Sequence, residues 1–229
     1  MNNNNLNMNN DFIKFHQSRH PHMTSSSIEK TIKGYMSPTI LEERELHVTQ
    51  MDVFSRLMSD RIIFFGDEVN PYTSNIAVSQ LLYLASVDRE SDITMYVNSP
   101  GGSVYDGLGI IDTMLLIEPK VKTTCTGLAA SMGSILLACG AKGERSILPH
   151  ARVMIHQPLG GINGQASDIE ITAKEILKLK HELFEILSKR TNQPIEKIIS
   201  DGDRDHWMTA QEALEYGIVD KIHDINWDK

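Results

Sequence analysis

Cysteine is scarce in this chain of 229 residues, which contains only Cys125 and Cys139. The two lie in apolar stretches, with no CxxC pair and no histidine at the spacing of a metal site. This usage argues against a disulfide-stabilised secreted domain and against a Cys/His zinc centre. We expect both cysteines to be buried and reduced, as in a cytoplasmic protein.

Long hydrophobic runs are also missing, since no stretch of about 18 apolar residues is present to cross a membrane. The N-terminus lacks the apolar core of a secretory signal. Seven of the first ten residues are asparagine, and His16, His20 and His22 follow in a Ser-rich stretch. We interpret residues 1–35 as a disordered leader or propeptide rather than a metal-capturing tail, and residues 36–229 as a single domain.

The charge balance argues against nucleic acid as a partner. There are 22 basic and 30 acidic side chains, for a formal charge of −8, and such a surface repels phosphates. No GxxxxGK[ST] motif is present, so the chain is not expected to hydrolyse a nucleotide itself.

Apolar runs and helical periodicities alternate along most of the chain. Strands are predicted at 61–66, 92–97, 121–126 and 152–155, and helices at 75–87, 104–117 and 131–139. This alternation predicts an α/β fold with mainly parallel strands.

A long helix is predicted in the second half, from a capping box at Ser167–Glu170 to about Arg190. Its apolar stripe suggests packing against another subunit, although a helix lying across its own sheet is the alternative. A second capping box, at Thr209–Glu212, predicts a short helix that ends at Gly217.

Ser131 is the first candidate for chemistry, because it lies between a predicted strand and a predicted helix in GLAASMG. This arrangement is similar to a nucleophile elbow, with helix N–H groups available for an oxyanion. The alternative is a serine that only caps the helix.

His156 follows the strand at 152–155, at the edge where catalytic groups of α/β folds gather. Gly101 and Gly102 would let bare backbone approach a ligand.

A calcium loop is another possibility for Asp201, Asp203, Asp205 and Glu212, which occupy positions 1, 3, 5 and 12 of such a loop. His206 stands where that loop requires glycine, however. We therefore interpret the segment as a solvated acidic loop and predict no metal site.

Several motifs together resemble the proteolytic subunit of the Clp protease family. They are NSPGG at 98–102, GLAASMGS at 127–134, RVMIHQPLGG at 152–161, GQASDIEI at 164–171 and DRDHWMTAQEALEYGIVDKI at 203–222. The resemblance extends from about Ser55 to Ile222. It implies a crotonase-like fold of repeated ββα and βα units, with a protruding strand–helix handle at about 160–190. It also implies Ser131 as nucleophile, His156 as general base and Asp205 as orienting acid, with the backbone N–H groups of Gly102 and Met132 as the oxyanion hole.

The resemblance further implies a cytoplasmic homo-oligomer of two stacked heptameric rings, a tetradecamer that encloses a chamber. An AAA+ unfoldase of the Clp family would use the ATP, feed in unfolded proteins and dock near Tyr96 and Leu116. This chain itself would bind no cofactor. Two alternatives stay open at this point: an acyl-CoA-handling enzyme of the crotonase type, and a non-catalytic ring subunit.

Overall fold

The structure is a computed structural model that describes residues 39–44, 47–161 and 163–226. The predicted leader, residues 1–35, lies outside these ranges, so the leader and the domain boundary after it stay predictions. The chain divides into two compact units, Met1–Arg56 and Leu57–Lys229. In the first unit, strands β1 (Thr39–Arg44) and β2 (His47–Asp52) pair in antiparallel fashion. Helix α1 (Val53–Ser59) follows them directly.

The second unit is built on a seven-stranded, mainly parallel sheet. Its main path runs in the order β3-β4-β5-β6-β9, while β7 pairs with both β5 and β8, and β8 alone is antiparallel. The strands are β3 (Ile62–Phe65), β4 (Ile93–Ser99), β5 (Val121–Ala130), β6 (Arg145–Ile147), β7 (Arg152–Ile155), β8 (His206–Met208) and β9 (Lys221–Ile222). The predicted α/β class and its mainly parallel sheet are confirmed.

Six helices of this unit are described: α2 (Pro71–Val87), α3 (Val104–Leu116), α4 (Met132–Ala138), α5 (Ala166–Thr191), α6 (Ile195–Asp201) and α7 (Ala210–Tyr216). Helix α2 begins four residues before the predicted start at Asn75, because Asn70 and Thr73 form a capping box with Pro71 in the first turn. Every residue of helix α4 is buried, and Ser134 is the one residue of the helix with a polar side chain. The core therefore surrounds α4 and fixes the position of its N-terminus.

Strand β5 is longer than predicted and continues past Thr126 to Ala130. Its register against β4 shifts, because Val97 pairs with Cys125 but Ser99 pairs with Ala129. The side-chain oxygen of Asn98 fills the irregularity and accepts a hydrogen bond from the Leu128 N–H at 3.0 Å. The first part of β5 pairs with β6 and its last part pairs with β7. The irregularity in β5 thus allows one strand to bond to two successive neighbours on the same side of the sheet.

Helix α5 corrects two details of the sequence interpretation. It begins at Ala166 with Gln165 as N-cap, so Ser167 lies within the helix and the predicted capping box there is wrong. The described residues between Ile155 and Ala166 contain no strand, although the resemblance implied one ahead of the helix. The apolar stripe is divided, since Leu183 and Leu187 are buried in the core of this chain whereas Leu177 is 65% exposed. Only the first half of the apolar stripe is therefore exposed and able to contact another protein chain.

The short C-terminal helix agrees with its prediction. Thr209 and Glu212 form the capping box of α7, and Gly217 ends the helix in the left-handed conformation at φ 89°. No described helix is both long enough and apolar enough to span a membrane.

Candidate active site

Ser131 lies at the junction of β5 and α4 in a conformation that side chains rarely adopt, with φ 53° and ψ −124°. Its N–H donates to the Met154 carbonyl at 2.8 Å, and its carbonyl accepts from the Ser134 hydroxyl at 2.6 Å. The Ser131 hydroxyl makes no capping bond to helix α4, so the interpretation as a simple N-cap is wrong. The strained turn instead directs the hydroxyl out of the fold, as a nucleophile elbow does.

His156 and Asp205 complete a chain of hydrogen bonds that begins at this hydroxyl. His156 Nε2 is 2.8 Å from Ser131 Oγ, and His156 Nδ1 is 2.9 Å from Asp205 Oδ1. The sheet explains this proximity. Because β8 is antiparallel to β7, with Ile155 opposite His206, the residue after β7 lies beside the residue before β8. Residues 49 positions apart in the sequence therefore meet.

The arrangement selects one form of the imidazole. A carboxylate can only accept a hydrogen bond, so Nδ1 must carry the proton that Asp205 binds. The lone pair of Nε2 then faces the serine hydroxyl, which is the orientation of a general base. The imidazole is well covered, with 12% of the His156 side chain exposed, whereas 59% of the Asp205 side chain is exposed.

The glycine pair lies against the serine turn. Gly101 and Gly102 have φ values of 91° and 142°, which favour glycine. A Cβ atom at Gly101 would lie 2.7 Å from Ser131 Cβ and 2.8 Å from Met132 N. Within the described residues, neither the Gly102 nor the Met132 N–H donates to the protein. Two backbone donors next to the hydroxyl fit a site that stabilises negative charge on oxygen.

The acidic side chains that match positions of a calcium loop bond to separate partners in the structure. Asp201 accepts from the Tyr216 hydroxyl at 2.9 Å, and Glu212 accepts from the Thr209 N–H at 2.7 Å. Burial, reinforced by the Asp201 carboxylate, raises the pKa of Tyr216. Over the part of the chain that the structure describes, no group of three or more His, Cys, Asp or Glu side chains is arranged to hold a metal ion.

The other singled-out residues lie away from the site. Both cysteines are free and buried, as predicted, and burial raises the pKa of Cys125 to about 12 and that of Cys139 to about 11.

Two side chains that the sequence analysis did not single out lie next to the site. Gln157 donates from Nε2 to the Asp203 carbonyl at 2.8 Å, and Lys180 donates to Gln157 Oε1 at 2.7 Å. The one signal in the sequence is that Gln157 directly follows His156. Its partners are 23 and 46 residues away, at separations that no local pattern indicates.

Comparisons with known proteins agree with this geometry. The family model described as "Clp protease" matches residues 44–226. A Bacteroides fragilis protein named "ATP-dependent Clp protease proteolytic subunit" is 59% identical over 215 residues, covering 93% of this chain and 97% of that protein. The protein of the same name from Porphyromonas gingivalis is 56% identical over 220 residues, covering 95% of this chain and 99% of its own length. "ATP-dependent Clp protease proteolytic subunit 1" of Bacillus cereus is 55% identical over 185 residues, covering 81% and 96%. The chain thus belongs to the Clp protease family, a family of serine endopeptidases.

Proposed function

We propose that this chain is the peptidase core of an ATP-dependent Clp protease and cleaves peptide bonds in unfolded proteins. The observation that carries the proposal is the continuous chain from Ser131 Oγ through His156 to Asp205, with both contacts under 3 Å. A crotonase-type acyl-CoA enzyme has no need for a serine, a histidine and an aspartate in this arrangement. The same geometry speaks against a non-catalytic ring subunit.

In the proposed reaction, Ser131 Oγ attacks the carbonyl carbon of the scissile bond while His156 Nε2 takes the hydroxyl proton. The Gly102 and Met132 N–H groups stabilise the oxygen that becomes negative. Collapse of the tetrahedral intermediate breaks the C–N bond, and the protonated imidazole gives its proton to the leaving amine. Water, deprotonated by the same imidazole, then attacks the acyl-serine. The bond between the acyl carbon and Ser131 Oγ breaks, and the imidazolium returns the proton to Oγ as the acid product leaves. Asp205 stabilises the imidazolium during both steps.

The source of ATP-dependence lies outside this chain, which has no phosphate-binding loop. The relatives are named as ATP-dependent, and we assign the ATP to a partner, an AAA+ unfoldase of the Clp family that delivers unfolded chains. Cofactor chemistry in this subunit is not required by the proposed reaction.

We propose further that the subunits assemble in the cytoplasm as two stacked heptameric rings around a chamber. Exposed apolar side chains support contacts both between subunits and with the unfoldase. Leu177 on α5, where another subunit would pack, is 65% exposed, and Leu116 on α3, where the unfoldase would dock, is 79% exposed. A closed chamber would admit short peptides freely and folded proteins only after unfolding. Rapid ATP-independent digestion of a stable globular protein by the purified subunit would contradict this arrangement.

The test of the proposed function is labelling by a fluorophosphonate together with hydrolysis of a short fluorogenic peptide. The wild-type chain should be labelled at Ser131 and should hydrolyse the peptide without ATP. Ser131→Ala should lose the label and nearly all turnover, with only the modest rate that binding and oxyanion stabilisation give. Sedimentation of Ser131→Ala should match the wild type, because the small hydroxyl contributes little to packing. Equal turnover by both proteins would refute the assignment of the nucleophile.

A further inference from the structure

Gln157 connects three segments of the chain that meet beside His156. Its backbone N–H donates to the Gly202 carbonyl at 2.7 Å. Its side chain donates to the Asp203 carbonyl at 2.8 Å and accepts from Lys180 on helix α5 at 2.7 Å. The residue after the base is therefore bonded both to the turn that presents Asp205 and to the long helix.

Asp205 depends on the position of its turn, because its own contacts hold it weakly. Within the described residues, the carboxylate has one hydrogen-bond partner, His156, and 59% of its side chain is exposed. A single hydrogen bond to a largely exposed carboxylate contributes little net stability, because water competes for the carboxylate oxygens, so the contact with His156 does not by itself fix the turn. The two bonds from Gln157 to Gly202 and Asp203 tie that turn to the end of β7, which also carries His156.

Lys180 determines which way the Gln157 amide faces. An ammonium group only donates, so it requires the carbonyl oxygen of the amide on its side and leaves the NH₂ for the Asp203 carbonyl. The lysine stem is half-buried, with Nζ 5.7 Å from the centre of the Phe184 ring. Phe184 is 1% exposed and also contacts the turn, since a Cβ added at Gly202 would lie 2.9 Å from its ring. Helix α5 therefore contacts both the Gln157 amide, through Lys180, and the turn at Gly202, through Phe184.

We propose that Gln157 and Lys180 are positioning residues for peptide hydrolysis, which hold Asp205 in register with His156. This inference rests on the proposed function. It assigns neither residue a contact with the substrate. Loss of either side chain should slow the chemical step and leave substrate binding nearly unchanged, because the acid loses its alignment and the substrate site is untouched.

The experiment uses the full chain with three substitutions of similar shape. Gln157→Met removes both side-chain bonds, Lys180→Met removes the charge but keeps the stem against Phe184, and Lys180→Arg keeps a donor for the amide. Lys189→Met is the matched control on the same helix, since the Lys189 side chain is 74% exposed and, among the described residues, pairs with Glu185 alone in a surface contact. For each protein, kcat and KM for a fluorogenic peptide, the rate of fluorophosphonate labelling and the sedimentation coefficient are measured.

Gln157→Met should lower kcat and the labelling rate by about tenfold to a hundredfold, the effect of a displacement of about 1 Å, with KM within about twofold. Lys180→Met should change the same quantities in the same direction but less. Lys180→Arg should restore most of the rate, and Lys189→Met should equal the wild type. All four should sediment as the wild type.

Three results would overturn the inference. One is wild-type kcat in both Gln157→Met and Lys180→Met, and another is a raised KM with unchanged kcat in these two variants. The third is a failure of Lys180→Arg to recover activity above Lys180→Met, which decides the matter even where Gln157→Met does not assemble. Failure of the proposed function is distinguishable, because it would leave the wild type unlabelled or Ser131→Ala fully active.

Discussion

Replacement of Gly101 by alanine tests how closely the glycine loop is fitted to the serine turn. The new Cβ would lie 2.7 Å from the Ala130 carbonyl oxygen, 2.7 Å from Ser131 Cβ and 2.8 Å from Met132 N. Contacts under 3.0 Å of this kind are essentially absent from proteins, and the atoms involved are mostly backbone, so the turn must move. The N–H that would move is the proposed oxyanion donor of Met132.

Two effects add in this variant. Alanine at φ 91° is strained, which costs about 1–3 kcal/mol of folding free energy. Displacement of one oxyanion donor lowers kcat by roughly 10²–10³, or about 2.7–4 kcal/mol of transition-state stabilisation. The first effect changes stability and the second changes catalysis, so the two can be separated by a suitable control.

Gly143→Ala provides that control. Gly143 has nearly the same backbone angle, φ 86°, but an added Cβ would have no neighbour within 4 Å. Thermal unfolding should show a loss of stability in both variants from backbone strain, and a larger one in Gly101→Ala because of its added close contacts, whereas the large loss of kcat in peptide hydrolysis should be confined to Gly101→Ala. A Gly101→Ala protein with wild-type kcat would refute the assigned position of the oxyanion donor, and an equal loss of kcat in Gly143→Ala would attribute the effect to strain.

Three further changes probe the acid, the core and the assembly. Asp205→Asn should keep the assembly intact and lower kcat by roughly 10⁴, since an amide favours the wrong imidazole tautomer. Asp220→Ala removes the partner of Arg145, whose side chain is 4% exposed, and should cost about 3–5 kcal/mol of unfolding free energy in denaturant titration. Burial alone would raise the pKa of Asp220, but the contacts with Arg145 outweigh burial and lower it. The stabilisation that the Asp220–Arg145 pair gives the folded state is therefore present above about pH 4, the ordinary pKa of aspartate, and is lost as the pH falls through the lower pKa of the folded state. Leu177→Glu should split the assembly in sedimentation velocity without loss of helix signal in circular dichroism.

The outcomes that contradict these three predictions are specific. Wild-type kcat in Asp205→Asn would mean that another group orients the imidazole. A stability of Asp220→Ala equal to that of the wild type at pH 7 would mean that Arg145 finds a substitute partner. An intact assembly of Leu177→Glu would place the exposed half of helix α5 outside the subunit contacts, whereas loss of helix signal would show that Leu177 supports its own subunit.

Many helices and strands of this fold are indicated by residues close together in the sequence, so the sequence predicts them well. Strand β7 was predicted at its observed bounds because its apolar run is short and contiguous, and helix α7 because Thr209 and Glu212 cap it within one turn. The position of Ser131 between a strand and a helix follows from the same local signals. What these patterns share is that every residue needed for the prediction lies within a few positions of the others.

The details that were missed depend on contacts between distant segments. Strand β5 extends to Ala130 because Asn98 on the neighbouring strand bonds to Leu128, and no pattern within β5 itself indicates this. Periodicity shows the apolar stripe of α5 but does not show that Leu183 lies on the core while Leu177 is exposed. Partners far apart in sequence decide both outcomes.

The one antiparallel strand of the seven-stranded sheet, β8, explains how an acid that precedes its strand can reach the base. In a parallel pair the carboxyl ends of both strands meet, so an acid beside His156 would have to follow its own strand. Here β8 runs the other way, and its amino end meets the carboxyl end of β7, so Asp205 can precede the strand. The long helix between the two strands is compatible with this because only the register Ile155 opposite His206 has to be kept. Triads are defined by such geometry and not by the order of their members, and here the reversal of one strand determines that the acid stands before its strand while the base stands after its own.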